Sequence, residues 1–249
     1  MQGIIKHHRD HGTTLSEGVV KSLLWQILNG IHYMHSHWVI HRDLKPSNIL
    51  VSDRGGDVRV KIIDFGLAKA TGSAITANAA VTQYGVFLGT PDYMSPEQAS
   101  FSVEDIDTRS DIYSLGVLLY NLLTGAMPIP TDEMRDAGVD AIRDLIRNRQ
   151  PQKPSAYISK LGDKSRETAE QRMISPRALQ SALSGDLDWI TIKALEKDRA
   201  RRYGSAQAFS DDVERFLSAQ PIMARPPSRL YELGRFARRH KTTVIALAV

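Results

Sequence analysis

Two short polar strings, held apart by one apolar hairpin, constrain this chain more than any other feature. The first is His41-Arg42-Asp43-Leu44-Lys45-Pro46-Ser47-Asn48, and the second is Asp64-Phe65-Gly66. Between them lie strand-like runs, Ile49-Leu50-Val51 and Val58-Arg59-Val60-Lys61-Ile62-Ile63, with Gly55-Gly56-Asp57 as the turn. Paired strands lie about 4.8 Å apart, so closing this hairpin brings Asn48 and Asp64 to one end of it. The fold must then present an acid, a lysine, an amide and a second acid on neighbouring loops.

That set has a chemistry. Asp43 can accept a proton from a hydroxyl, and Lys45 supplies positive charge two residues on. Asn48 and Asp64 offer oxygen ligands of the kind a hard Mg²⁺ ion takes together with substrate phosphates. Phosphoryl transfer needs little beyond positioning and neutralisation of phosphate charge. Taken alone, Asp-Phe-Gly is a common turn and His-Arg-Asp is a weak signal. Their order and spacing carry the information.

In that order the strings resemble the eukaryotic-type (Hanks-type) serine/threonine protein kinases. The resemblance continues through Gly89-Thr90-Pro91-Asp92-Tyr93-Met94-Ser95-Pro96-Glu97, where Ser95-Pro96-Glu97 stands for the family's Ala-Pro-Glu. It extends to Asp111-Ile112-Tyr113-Ser114-Leu115-Gly116, to Arg202 in Lys197-Asp198-Arg199-Ala200-Arg201-Arg202-Tyr203, and on to about Leu217. It implies ATP and Mg²⁺ as cofactors and a protein Ser/Thr hydroxyl as acceptor. Asp43 would be the base, Lys45 would neutralise the transferred phosphate, and Asn48 and Asp64 would hold Mg²⁺. Leu50 would form the floor under the adenine. His41 and Phe65, with Gly66 after it, would stack as part of an internal spine, and Asp111 would hold the catalytic-loop backbone. Glu97 would pair with Arg202, although a run of arginines can also be a solvated face. Arg42 would receive a phosphate on the activation loop, with Thr82 as first candidate and Thr76 as second. Thr90 would contact Asp43 and Lys45. Lys45 itself fits the serine/threonine rather than the tyrosine pattern.

The resemblance is uneven. Ser184-Gly185-Asp186-Leu187-Asp188-Trp189-Ile190 and Ala224-Arg225-Pro226-Pro227-Ser228 are similar to membrane-anchored bacterial kinases of the planctomycete type. The stretch up to about residue 50, with Trp25-Gln26-Ile27-Leu28, is closer to the Mediator-associated cyclin-dependent kinases.

Asp43 comes early for such a domain. No Gly-x-Gly-x-x-Gly, no strand lysine in a Val-Ala-Ile-Lys-like context and no partner glutamate precede it. The expected fold class is therefore a protein-kinase-like large (C-terminal) lobe, mainly α-helical with a short catalytic β-hairpin, and with the small β-rich N-lobe absent. Residues 1–217 would be this incomplete kinase domain, and as given it would bind ATP weakly. A non-catalytic, kinase-like scaffold or binding module is the rival reading. A small-molecule phosphotransferase shares an Asp and an Asn at similar spacing, but the Gly89–Glu97 segment argues against it.

The 249 residues, 42% of them apolar, suit one globular domain. The absence of cysteine excludes disulfides and thiol catalysis. Basic charge is concentrated in residues 225–241, where Arg225, Arg229, Arg235, Arg238, Arg239 and Lys241 face only Glu232, a local charge of +5. The remainder carries −1 of the chain's total of +4, so no nucleic-acid partner is expected. Residues 218–241 read as a Pro-rich, basic, juxtamembrane-like linker. The apolar residues of 242–249 read as the start of a transmembrane helix cut short, since a span needs about 20 apolar residues. Basic residues flanking a span stay on the cytoplasmic side. The kinase lobe is thus expected in the cytoplasm, anchored to the membrane in the full-length protein.

Helical spacing of Val20, Leu23, Leu24, Ile27, Leu28, Ile31 and Met34 predicts one helix, with Ser16 as its N-cap. Ile112 to Leu123 predicts a buried helix ended by Gly125 and Pro128. Leu187–Leu195 and Ala206–Leu217 predict two more. Residues 130–185 look less regular, and Pro221, Pro226 and Pro227 separate lobe from tail.

Overall fold

The helix predicted from Val20 to Met34 forms as α1, Glu17–Ser36, and turns Leu23, Leu24, Ile27, Leu28 and Ile31 inward. In this computed structural model, residues 17–54, 57–64, 91–100, 106–161, 169 and 175–239 are described. The Ser16 cap, Phe65, Gly66, Thr76, Thr82, Thr90 and residues 242–249 lie outside them.

After α1 a 3₁₀ turn, Pro46–Asn48, leads into the hairpin β1 (Ile49–Arg54) and β2 (Asp57–Ile62). The strands are antiparallel, with Ile49 opposite Ile62 and Arg54 opposite Asp57. β2 alternates in the period of two that a half-covered strand requires. Its valines and Ile62 turn inward, while Asp57, Arg59 and Lys61 stay exposed. The side chain of Gln26 on α1 clamps the edge of β2. Its amide donates to the Val58 carbonyl (2.8 Å) and its oxygen accepts from Val60 N (3.0 Å).

A short helix α2 (Pro96–Ala99) precedes α3 (Thr108–Thr124), the central helix of the lobe. α3 is buried around nearly its whole circumference. Asp107 caps its start by accepting from Arg109 N, and Gly125 ends it with φ +73, donating to the Asn121 carbonyl. Gly116 is needed on α3 because α8 (Asp186–Ala194) passes so close that an added Cβ would come within 2.8 Å of Ala194 Cβ.

The described residues of 130–185 are more regular than their sequence suggests. They contain α4 (Thr131–Arg135), α5 (Val139–Asn148), α6 (Pro154–Leu161) and α7 (Pro176–Leu183). Each buries only one or two apolar residues on one face, as α5 does with Ile142 and Ile146 against Ala99, Ile129 and Met134. Periodicity carried by two residues is too short to read in sequence, and tertiary contact decides such helices. The main core joins α1, α3, α7, α8 and α9 (Ala206–Leu217) through Leu28, Ile31, Leu115, Leu183, Ile190 and Phe209.

The Pro-rich stretch does not separate lobe from tail. Residues 219–224 fold back onto α9, and α10 (Arg229–Arg239) follows. Buried Asp212 accepts from Met223 N and Ala224 N, each at 2.7 Å, and Ile222 enters the core. The prolines rule out helix there, but the backbone N–H groups around them find a carboxylate. No helix among the described residues is long and apolar enough to cross a membrane.

Candidate active site

The site forms where the loop after α1 meets the open end of the hairpin. Ile63 N donates to the Asn48 carbonyl (2.9 Å), one residue beyond the last strand pair. That bond places Asp64, the next residue, beside Asn48. Asn48 Nδ2 donates to the Asp43 carbonyl (2.8 Å) and carboxylate (3.1 Å). Lys45 Nζ pairs with the same Asp43 carboxylate at 2.8 Å. Asp43, Lys45 and Asn48 are therefore one hydrogen-bonded unit, and Asp64 borders it. Asn48 is buried, whereas Asp64 is exposed and Asp43 partly so.

Two anchors shape the loop. Asp111, fully buried in the first turn of α3, accepts from His41 N and Arg42 N, both at 2.8 Å. The second anchor is His41, also fully buried. Asp43 N donates to its Nδ1 (3.3 Å), which leaves Nε2 to donate to the Ile63 carbonyl (3.1 Å). One imidazole thus ties the Asp43 loop to the residue before Asp64. Arg42 and Asp64 adopt left-handed backbone, φ +67 and +56. Such conformations cost a non-glycine residue on the order of 1–3 kcal/mol and persist only where neighbours fix them. Arg42 is fixed on both sides, by Asp111 at its N–H and by Gln98 Nε2 at its carbonyl (2.7 Å).

Glu97 and Arg202 join α2 to the segment that follows α8. Arg202 Nη1 and Nη2 grip Glu97 Oε1 and Oε2 at 2.7 and 2.8 Å. The other guanidinium donors reach the carbonyls of Glu196, Arg109 and Lys197, and the plane stacks on Tyr113 at 5.0 Å. With every donor used and 4% of its surface exposed, Arg202 is no solvated-face residue. Burial pushes the Glu97 carboxyl up, but Arg202 and the Ser110 hydroxyl more than reverse this and hold it below the usual glutamate range.

Several supporting residues were not singled out in the sequence. His35 Nε2 donates to Asp111 (2.8 Å), Gln98 bridges α2 to Arg42, and Ser110 donates to Glu97 (2.7 Å). Only Gln98 left a signal. Ser95-x-x-Gln98 is a capping box, and Ser95 N does donate to the Gln98 oxygen (3.0 Å). Leu50 is 49% exposed at the hairpin.

The profile of the protein kinase domain matches residues 1–213. The chain belongs to the protein kinase family. It is similar to the serine/threonine-protein kinase pkn3 of Myxococcus xanthus, 36% identical over 219 residues, which is 86% of this chain and 34% of that kinase. It is also similar to the probable cyclin-dependent kinase 8 of Dictyostelium discoideum, 46% identical over 132 residues, 53% of this chain and 33% of that protein. Kinase relatives of both the bacterial and the cyclin-dependent kind therefore match, as the uneven resemblance implied. The protein-kinase-like fold is shared with the crystallised PknI kinase domain of Mycobacterium tuberculosis, with a TM-score of 0.52 at 23% identity. That match covers 84% of this chain and 60% of the solved one. The chain spans a quarter to a third of the length of the bacterial kinases it matches. Its mainly helical build with a two-stranded hairpin agrees with the large lobe of a kinase.

Proposed function

We propose that this chain is the large lobe of a serine/threonine protein kinase, which transfers the γ-phosphoryl group of ATP to a protein hydroxyl. One observation carries the reading: Asp43, Lys45 and Asn48 form a single hydrogen-bonded unit with Asp64 beside it. The substrate oxygen attacks the γ-phosphorus while the bond to the β–γ bridging oxygen breaks, ADP departs, and the hydroxyl proton passes to the Asp43 carboxylate. Lys45, paired with Asp43, would neutralise charge on the moving group, and Asn48 would hold the Asp43 carboxylate in place.

A divalent ion fits the donors present. Among the described residues no three His, Cys, Asp or Glu side chains converge, so a protein-only cage is absent there. Asn48 turns its amide nitrogen to Asp43 and its oxygen toward the Ser47 hydroxyl (3.3 Å), which leaves Asn48 Oδ1 and the Asp64 carboxylate as hard ligands at one hairpin end. Mg²⁺ suits such a partial shell, because it keeps water and phosphate oxygens as its other ligands. When bound, the ion would draw negative charge from the phosphate oxygens.

The exposure of Leu50 favours a qualification. A residue expected under an adenine is half open to solvent, so this lobe alone binds nucleotide weakly, and a scaffold role is the second reading. Incubation with Mg²⁺ and labelled ATP, with Asp43→Asn as control, tests both. Incorporation that depends on Asp43 supports the kinase. If neither protein incorporates label even after a kinase small lobe is supplied in trans or by fusion, the scaffold reading stands instead.

A further inference from the structure

The peptide plane that leads into Asp43 is gripped at both edges. Its N–H, on Asp43, donates to His41 Nδ1 at 3.3 Å, and its carbonyl, on Arg42, accepts from Gln98 Nε2 at 2.7 Å. A peptide unit is planar and rigid, so these two bonds fix its rotation and with it the direction in which the Asp43 side chain leaves the backbone. The Gln98 bond is the shorter of the two. It steadies Arg42, whose left-handed backbone (φ +67) persists only where neighbours fix it. Gln98 makes this reach from α2, 56 residues away in sequence. Its amide has one possible orientation there. Ser95 N can only donate, so it faces the Gln98 oxygen (3.0 Å), and the Arg42 carbonyl can only accept, so it faces the nitrogen. α2 is a firm base for the reach. Glu97, next to Gln98, is locked by Arg202 and Ser110, and Ala99 is fully buried in a cluster with Ile142 and Ile146.

We infer that Gln98 is a positioning residue for phosphoryl transfer, a role that rests on the kinase reading of this site. It acts through the Arg42–Asp43 peptide to aim the Asp43 carboxylate at the acceptor hydroxyl. Asn48 and Lys45 hold that carboxylate from the C-terminal side, and Asn48 also takes the Asp43 carbonyl. Those bonds tie Asp43 to residues of its own loop, and a loop can move as a unit. Gln98 ties it to α2, on a separate part of the lobe. A misplacement of about 1 Å at a reacting group costs on the order of 10²-fold in rate, so a bond one residue from the base is enough to matter. The same amide caps Ser95 N, so a shift of the Ser95-Pro96-Glu97 segment is passed to the peptide that carries Asp43.

Gln98→Glu separates this role from helix capping. Glutamate keeps the oxygen that caps Ser95 N, as Ser-x-x-Glu does, but at neutral pH brings no donor to the Arg42 carbonyl. In the chain as it stands, hydrogen exchange at the Asp43 amide should speed up about tenfold, with the α3 amides and the melting temperature as in the parent. In the lobe completed by fusion to a kinase small lobe, kcat should fall about tenfold or more while KM for ATP stays the same. Gln98→Met, which loses both bonds, should lower kcat by a similar factor and also melt earlier. Exchange at the Asp43 amide at the parent's rate would overturn the inference. Acceleration that spreads equally into α3, or a fused Gln98→Glu kinase with the parent's kcat, would overturn it too. A fused parent that transfers no phosphate would contradict the kinase reading instead, and the exchange comparison then accepts or rejects the grip on Asp43 by itself.

Discussion

Arg202 and Glu97 stand 105 residues apart in sequence and meet in a doubly hydrogen-bonded ion pair with almost no solvent contact. Glu97 sits on α2, and Arg202 follows α8. Their contact therefore closes a long loop of chain and sets the height of the Ser95-Pro96-Glu97 segment against α3.

Breaking one half of this pair leaves a buried charge without its partner. Glu97→Gln or Arg202→Ala should lower stability by about 3–5 kcal/mol in urea unfolding, as removal of one partner does elsewhere. The pH dependence follows from the lowered Glu97 pKa: the contribution is present above the ordinary glutamate value and is lost as pH falls through the folded one. A Glu97→Gln variant as stable as the parent at neutral pH would contradict this role.

Asp111 holds the loop by two backbone amides and His35. Asp111→Ala leaves the His41 N–H buried without its acceptor, at about 1–3 kcal/mol, and the part-buried Arg42 N–H without its own, at less. Hydrogen exchange at these two amides should accelerate at least tenfold, and phosphoryl transfer by a complete kinase built on this lobe should fall steeply. Unchanged protection at both amides would show that Asp111 is not the anchor.

Lys197 gives a pH effect of the same direction in an alkaline window. Its Nζ is partly buried between the Tyr113 hydroxyl (3.0 Å) and the Ile146 carbonyl (2.7 Å). Burial first, and then the Arg202 charge, push its pKa down to about 8. An unfolded lysine keeps its proton to about pH 10.4. Between those values the unfolded state binds more protons, so this residue adds stability as pH rises. The stability of the parent relative to Lys197→Met should grow by on the order of 1 kcal/mol from about pH 8 to pH 10. A difference independent of pH would sink the assignment.

Gly116 is a packing requirement. Its substitution by alanine would push a methyl group to 2.8 Å from Ala194 Cβ and 3.2 Å from the Ala194 backbone. Overpacking of this kind costs about 1–3 kcal/mol, so Gly116→Ala should melt several degrees lower. A variant of unchanged melting temperature would mean that α3 and α8 separate without cost.

Buried Asp186, at the start of α8, accepts from the Tyr231 hydroxyl on α10 (2.8 Å) and so clasps the tail to the lobe. Tyr231→Phe removes a hydrogen bond to buried Asp186, worth about 1–2 kcal/mol, and should expose residues 219–239 to limited proteolysis while the lobe stays intact. Equal protease resistance in parent and variant would count against the clasp.

The sequence by itself determined the parts of this protein that depend on local order. Asn48 and Asp64 flank one hairpin, so strand geometry alone puts them at its same end. α1, α3, α8 and α9 announce themselves because each repeats apolar residues over several turns. The kinase family is legible in the order of short strings from His41 to Arg202. Tertiary structure decided whatever depends on partners far away in the chain. Arg202 looks like one arginine among several until Glu97 arrives to pair with it. α5 and α7 carry too few apolar residues to read alone and form against neighbours. His35, Gln26 and the tail clasp are invisible locally, because a polar side chain gains its role only when a distant backbone group or buried carboxylate needs a hydrogen-bond partner.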